Sequence, residues 1–379
     1  MTHTYDVAII GGGIAGSVTA KALADQGWHT ALFDRKAFPR HKVCGEFLSP
    51  ETQTMFAKLG LHELMTSLQP SSIHRARLIP SRGKPLSIAL PSEALGVSRC
   101  LLDTALHQTA CRSGAELFTE TAVTMVERNE HGYSLVTKQQ GDRVDYQARA
   151  VIGAWGAHSF PSIQNQRTQI QGTHIGVKSH YTGIDMDPVV ELYFFKGGYV
   201  GLSPIENGHV NVAGLLDKKF FLQTDKSILG FIDAACRKNS ALSRKLALAS
   251  PVLGTQAAVA PVQLTRKPLA WDKFPRLGDA SMMLPPLCGD GMSMALRSAM
   301  ICAPLASRYL QGEITLEAWE LAYTQGIQKE FKGPLKWGHL LQSMLDVPLL
   351  PQFMLAAARF TPGLAGKFVQ VTRLKEIEL

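Results

Sequence analysis

The sequence predicts an α/β chain in which a Rossmann-like nucleotide-binding domain is interleaved with a β-sheet domain and followed by a helical C-terminal tail. Three observations carry the prediction. Residues 5–10, an apolar run, stop at Gly11-Gly12-Gly13 and give way to small and helix-forming residues over 14–24. A second run, Thr30-Ala31-Leu32-Phe33, ends on Asp34 after Gly27 closes the helix, so the opening reads as strand–helix–strand with a parallel pair. Far downstream, Leu277-Gly278-Asp279 precedes a Pro/Gly loop and a helical stretch over 291–309, with several strand-like stretches in the interval.

Taken in order, the elements support that layout. Pro70, Pro80, Pro85 and Pro91 punctuate short strand-like pieces between 66 and 95. Residues 98–113 read as a helix with Leu101, Leu102, Ala105 and Leu106 on one face. Residues 122–126 and 133–138 read as strands joined by a polar turn at Gly132, and 148–153 as another buried strand. Further β-like stretches fall within 170–215 and 251–265, including 189–195 and 209–215. The last 60 or so residues read as helices interrupted by Pro334, Pro348, Pro351 and Pro362. The domains expected are therefore discontinuous: 1–65, 96–165 and 270–315 for the nucleotide-binding domain, 66–95 and 166–269 for a substrate domain, and 316–379 for the tail.

Composition narrows the function. A chain of 379 residues holds about two to three domains at roughly 150 residues each. With 45% hydrophobic and 18% charged residues it is neither disordered nor fibrous. No apolar run reaches the roughly 18 residues of a membrane span. The excess of 39 basic over 31 acidic residues suits an anionic substrate or a membrane surface, or else a solvated exterior. Nucleic acid is not expected, because no dense Lys/Arg block with interleaved aromatics occurs. None of the six cysteines forms a C-x-x-C pair, and the N-terminus lacks a basic leader, so a cytoplasmic chain with free thiols is expected, with peripheral membrane contact left open. The histidines have no metal-binding spacing, and no metal site is expected.

The glycine constellation carries the chemistry. In Gly11-x-Gly13-x-x-Gly16 the first glycine permits a tight turn, the second lets the backbone approach a pyrophosphate, and the third lets helix and strand pack closely. The helix N-terminus, with Ala15 in its first turn, then offers amides and a positive dipole end to the phosphates. Asp34, at the end of the second strand, is placed to accept hydrogen bonds from a ribose. Asp290 would add negative charge to the second helix N-terminus, at 289–292, and reads as a helix cap instead.

These paired signals resemble the FAD-dependent oxidoreductases of the para-hydroxybenzoate hydroxylase fold, most closely the geranylgeranyl reductase branch, with flavin halogenases as cousins. The likeness covers about residues 5–310. It implies FAD as cofactor, with Gly11, Gly13, Ala15, Gly16, Asp34 and Arg35 at the ADP end. Arg99 matches an arginine that precedes a helix and contacts the cofactor, and Asp279 matches the Gly-Asp motif. Residues 285–291, with Pro286, Gly289, Gly291 and the following Met292, match the flavin loop. Lys42-Val43-Cys44-Gly45-Glu46 is similar to the reductases' Lys-x-Cys-Gly stretch near the isoalloxazine, which makes Cys44 and Glu46 the catalytic candidates.

Two departures matter. Trp155-Gly156 stands where many hydroxylases carry Asp-Gly, which weakens an aromatic-hydroxylase reading and leaves the use of NAD(P)H open. The branch's Y-x-W-x-F-P appears as Tyr199-Val200-Gly201-Leu202-Ser203-Pro204, so Tyr199, Gly201 and Pro204 are expected to line a wider substrate pocket. The paired-tryptophan signature of chlorinating enzymes is missing. The resemblance thus implies a reductase or dehydrogenase exchanging hydride at flavin N5 with a hydrophobic prenyl-, polyketide- or other lipid-like molecule. The alternative is a monooxygenase that hydroxylates a small organic substrate with O2 and NAD(P)H. The oligomeric state is not indicated.

Each candidate also has a plainer reading. Cys44 either lines the active site or packs as a small apolar group. Glu46 either shuttles protons or binds flavin, or is a solvated carboxylate. Arg40, His41 and Lys42 either meet an anion or form a surface cluster. Met282-Met283 and Met292 with Met294 make either a soft wall near the flavin or ordinary core. Residues 349–360 are a lid, a lipid contact or core.

Overall fold

A computed structural model of the chain describes residues 3–158, 160, 174–219, 224–262, 268–345 and 374. Strand β1 (His3–Ile10), helix α1 (Ile14–Ala24) and strand β2 (Thr30–Phe33) form the opening unit, with β1 and β2 parallel. Burial of Val7, Ala8, Ile9 and Ile10 alike is what a central parallel strand covered on both faces requires. There follow β3 (Phe47–Leu48), α2 (Glu51–Lys58), α3 (His62–Ser67), the hairpin β4 (Ser71–Pro80) and β5 (Leu86–Gly96), and α4 (Arg99–Arg112). Next come β6 (Glu116–Phe118), β7 (Thr121–Asn129), β8 (Gly132–Gln139) and β9 (Asp142–Gly153). The chain continues through β10 (His174–Thr182), β11 (Val189–Phe195), β12 (Gly198–Pro204) and β13 (Val210–Asp217). Helices α5 (Ile228–Cys236) and α6 (Ser240–Leu246), then β14 (Ser250–Pro251) and β15 (Ala257–Val262), lead to α7 (Gly291–Leu310) and α8 (Leu316–Leu345).

The strands make two sheets. The first has the order β6-β2-β1-β9-β8-β7, parallel from β6 to β9 and antiparallel beyond. The chain leaves β1 for β2 on one side and returns to β9 on the other. That reversal opens a crevice at the carboxyl ends of the strands, where α/β sheets bind ligands. The second sheet has the order β14-β10-β13-β12-β11-β4-β5-β3, with β15 also on β10, and its β4–β11 pair is parallel. One face of this sheet, with Val177, Val200, Leu202 and Val212, packs with Phe231 and Ile232 of α5 and Leu242 of α6. The other face looks toward the 42–46 and 283–287 segments.

The sequence reading needs three corrections here. Residues 47–48, placed with the nucleotide-binding segment, pair with β5 in the second sheet. The interval 166–269 contains two helices besides its strands: Ser227 caps α5 through its hydroxyl, and Asn239 caps α6. Pro334 does not interrupt the tail, because α8 runs through it. Trp319, Tyr323, Ile327 and Phe331 recur every four residues and are all buried, so packing of that stripe outweighs one lost backbone bond. Residues 349–360, with Pro348, Pro351 and Pro362, lie outside the described residues. Among the described residues no helix is long and apolar enough to cross a membrane.

Asn239 ties the second unit together. Its Oδ1 accepts from the Ala241 and Leu242 amides at 3.0 and 3.2 Å, while Nδ2 donates to Ile79 O and Phe194 O at 3.2 and 3.1 Å. Asn239→Ala should lower unfolding stability by about 2 kcal/mol or more through loss of the cap and two buried acceptors. A drop in urea midpoint at constant m would register it.

Candidate cofactor and redox site

The glycine turn is shaped by contact with β9. Gly11 has φ +113°, and a Cβ there would lie 2.3 Å from Ala154 O. A Cβ on Gly16 would lie 1.9 Å from Gly11 O, so helix and turn tolerate no side chain at their crossing. Gly13 differs. The nearest atoms to an added Cβ are Arg99 Nη2 at 3.8 Å and Lys42 Nζ at 3.9 Å. The start of α1, which no side chain caps, therefore faces a space edged by two cations, as an anion site requires.

Neighbouring charges govern both cations. Ser98 caps α4 by accepting from the Leu101 amide at 3.2 Å, which starts the helix at Arg99. One turn on, Asp103 holds the Arg99 guanidinium by two bonds of 2.9 and 2.7 Å. Burial opposes the charge on Arg99, but Asp103 more than offsets it and keeps the guanidinium ionised. Burial and the charge of Arg99 push the Lys42 ammonium below its usual value, against opposing pulls from Asp103 and Asp279. A diphosphate placed between them would relieve that strain.

Asp34 sits one residue past β2. Its carboxylate accepts from the Gly12 and Lys36 amides, each at 2.9 Å, and from both terminal nitrogens of Arg40 at 3.0 Å. His107 Nε2 lies 2.6 Å from Gly12 O on the same turn. Arg35 beside it is exposed. Gly278 and Asp279 reach this turn from the far end of the chain. A Cβ on Gly278 would lie 3.5 and 3.6 Å from the Cβ atoms of Ala295 and Ala15, which seats Asp279 where α7 meets α1. Before α7, residues 286–288 form a 3-10 turn and Gly289 takes φ +73°. Gly291 is exposed, and a Cβ on it would meet nothing within 4 Å.

Asp290 stands at the N-cap position of α7, but its side chain makes no capping bond, so the expected cap is corrected. Of the methionines, Met282, Met292 and Met294 are buried in the core around α1 and α7. Met283 and Leu287 pack on Tyr199, Leu215 and Val262 of the second sheet. Strand alternation puts Tyr199 and Gly201 on that face, beside Leu192 and Phe194 of β11 and Ala213 and Leu215 of β13. Pro204 falls on the opposite face, and Ser203 takes its place next to Gly201. Trp155 stacks on Phe160 with ring centroids 4.6 Å apart, and the Arg276 guanidinium lies 5.5 Å from the indole.

The 44–46 turn lies over β10 and β13. Asn211 Nδ2 donates to Cys44 O at 2.9 Å, and Val43 Cγ1 would be 3.0 Å from a Cβ on Gly176. The half-buried Cys44 Sγ accepts from the Glu46 amide at 3.4 Å. Glu46 is 0% exposed and not the solvated carboxylate that was one expectation. It meets Lys178 Nζ at 2.5 Å and His180 Nε2 at 2.6 Å, and accepts from the Arg99 amide at 2.9 Å. Burial pushes its pKa up, but the bonds from His180 and the charge of Lys178 win and hold it below the usual carboxylate range. Sequence reading missed Lys178, His180 and Asn211. The signal for the first two was a Lys and a His two apart, on one face of a strand.

Over residues 4–314 the chain matches the family described as FAD binding domain. It belongs to that family. A digeranylgeranylglycerophospholipid reductase of Methanothermobacter thermautotrophicus is 25% identical over 376 residues, 92% of this chain and 89% of that one. Among solved structures, a flavin-dependent brominase superposes with a TM-score of 0.77 at 20% identity, over 97% of this chain and 93% of its own. A geranylgeranyl bacteriochlorophyll reductase-like protein of Thermoplasma acidophilum does so at 0.74 and 19%, over 92% and 89%. The protein is an FAD-dependent oxidoreductase with a geranylgeranyl reductase-like fold. The uncapped helix start, the room above Gly13 and the two cations beside it fit the diphosphate of FAD.

Gly13→Val would put branched carbon between Arg99 and Lys42, and the purified variant should be colourless, read as the ratio of visible to ultraviolet absorbance. Lys42 titrates low when no anion is present, and a diphosphate raises its pKa, so FAD binding takes up a proton there. Wild-type FAD affinity should therefore fall as pH rises through the alkaline range. In Lys42→Met, affinity should be weaker and that slope should vanish, as fluorescence titration would show.

Proposed function

We propose that the protein is a reductase or dehydrogenase acting on a hydrophobic prenyl-, polyketide- or other lipid-like molecule, with NAD(P)H as electron donor. Bound FAD would supply the two-electron step as hydride at N5. The chain's own residues hold and orient. The 11–16 turn, Arg99 and Lys42 take the diphosphate, Asp34 and Arg35 the adenosine end, and Asp279 a ribityl hydroxyl. The N-terminus of α7, with Pro286, Gly289 and Gly291 before it, favours negative charge on the reduced ring. Cys44 stands at the ring side of the site. Glu46, buried behind it, acts through the turn and not on substrate.

The observation that carries the substrate class is the apolar patch on the second sheet. Tyr199, Leu192, Phe194, Leu215 and Val262 meet Met283 and Leu287, which lead directly into the α7 loop. Val43 and Val259 cover Gly176, while Gly201 and Ala213 add only short groups beside Leu192, so the face offers a close-fitting apolar wall to a molecule that excludes water from the reacting carbon. The domain division read from the sequence is kept as part of this proposal, with β3 moved to the second sheet.

Protein reduced without O2 and offered prenyl or polyketide candidates should yield a product heavier by two hydrogens. A product heavier by one oxygen, formed only in air, would replace this reading with the monooxygenase. Gly201→Trp should lower kcat/KM for the bulkiest substrates at least tenfold while FAD content is unchanged, because a Cβ there would already lie 3.1 Å from Leu192 Cδ2 and an indole must stand out from the face.

A further inference from the structure

Three ionisable side chains close a triangle behind the 44–46 turn. Lys178 Nζ lies 2.5 Å from Glu46 Oε1, His180 Nε2 lies 2.6 Å from Glu46 Oε2, and Nζ and Nε2 are 2.8 Å apart. The Lys178 and Glu46 side chains are 0% exposed. Around them stand His41, whose ring meets His180 edge-on at 5.1 Å, and His209 at 6.5 Å. The Arg99–Asp103 pair adjoins Glu46, and Glu206 accepts from the Ser98 amide at 2.8 Å. Cys100 lies within the field of Lys178, Glu46, Asp103 and Glu206.

Stability does not account for this cluster. Burying an ammonium and a carboxylate costs several kcal/mol per ion, and apolar residues of similar volume often serve a fold as well or better. Glu46 moreover adopts φ +53°, a left-handed conformation that costs a side-chain-bearing residue about 1–2 kcal/mol. The three bonds to its carboxylate hold it there. Their effect is local. They fix the turn that carries Cys44, anchor it to α4 through the Arg99 amide, and set it beside the α7 loop, where Phe47 Cδ1 would be 3.1 Å from a Cβ on Gly289.

We propose that Lys178 and His180 are positioning residues of the redox site: through Glu46 they hold the 44–46 turn against the flavin ring and set the electrostatic field that the ring experiences. This rests on the placement of FAD proposed above, with its ring between the 44–46 turn and the α7 loop. Reduction adds negative charge to the ring, so a nearby cation favours the reduced form and a nearby anion opposes it. Removing the two members of the pair must then move the redox equilibrium in opposite directions. A purely structural pair would move it the same way or not at all.

The test is the midpoint potential of bound FAD in the holoprotein, measured by dye-coupled spectrophotometric reduction for wild type, Glu46→Gln and Lys178→Met. Glu46→Gln should raise it and Lys178→Met lower it, each by about tenfold in the equilibrium, or about 30 mV for a two-electron couple. The double variant should return toward wild type, and Lys178→Arg should hold the wild-type value. Shifts of one sign, or none, in variants that carry stoichiometric FAD would overturn the proposal and leave the FAD reading intact. Wild-type protein that fails to bind added FAD would instead overturn the placement itself. If Lys178→Met does not fold, Lys178→Gln, which keeps a hydrogen bond toward Glu46, takes its place. Failure of both neutral variants and of the double variant to fold would assign the cluster to stability alone and overturn the proposal.

Discussion

The close approach of backbone to backbone where α1 crosses the end of β1 is the constraint on which the remaining structure depends. Gly16 touches Gly11 O, and Gly11 in turn touches Ala154 at the end of β9. With no side chains in that crossing, the helix begins at the edge of the sheet and its amides open on the crevice between β1 and β9. Everything that gathers there is placed by that crossing: Asp34 from β2, Arg99 from α4 and Gly278-Asp279 from the approach to α7. Charge then finishes what packing began, because two cations beside an uncapped helix start disfavour each other until an anion arrives.

The second sheet answers a different demand. Its α5–α6 face is a plain hydrophobic core, so its other face is free to be graded. Toward β14 and the 44–46 turn that face carries Lys178, His180 and Asn211. Toward β11 it carries Leu192, Phe194 and Tyr199. A polar end and an apolar end share one surface, with glycine and alanine between them; the polar end holds the 44–46 turn, and the apolar end is where the proposed substrate would lie.

Legibility followed the range of the forces involved. The β1–α1–β2 unit, helix α4 and the strands β7 and β8 were readable because sterics and period act within a few residues. Tyr199, Gly201 and Pro204 were taken together from the resemblance, and strand alternation would have put Pro204 on the other face. Helix α5 was missed because an apolar nine-residue segment reads equally as strand, although Ser227 and Asn239 were cap signals. Pro334 misled because burial of a distant stripe outweighed local propensity. The Glu46 cluster was out of reach for another reason: its partners lie 132 and 134 residues away, and nothing local to Glu46 announces them.

The clasp of Arg40 on Asp34 has its own consequence. Two amides and a guanidinium already use the roughly four lone-pair sites of that carboxylate. A sugar hydroxyl arriving there finds an acceptor fully engaged, so it must trade places with a resident donor. Such an exchange conserves the number of bonds and releases little energy. With FAD placed as proposed, recognition of the adenosine moiety at this corner would be a question of fit and orientation, and tight retention would come from the phosphates.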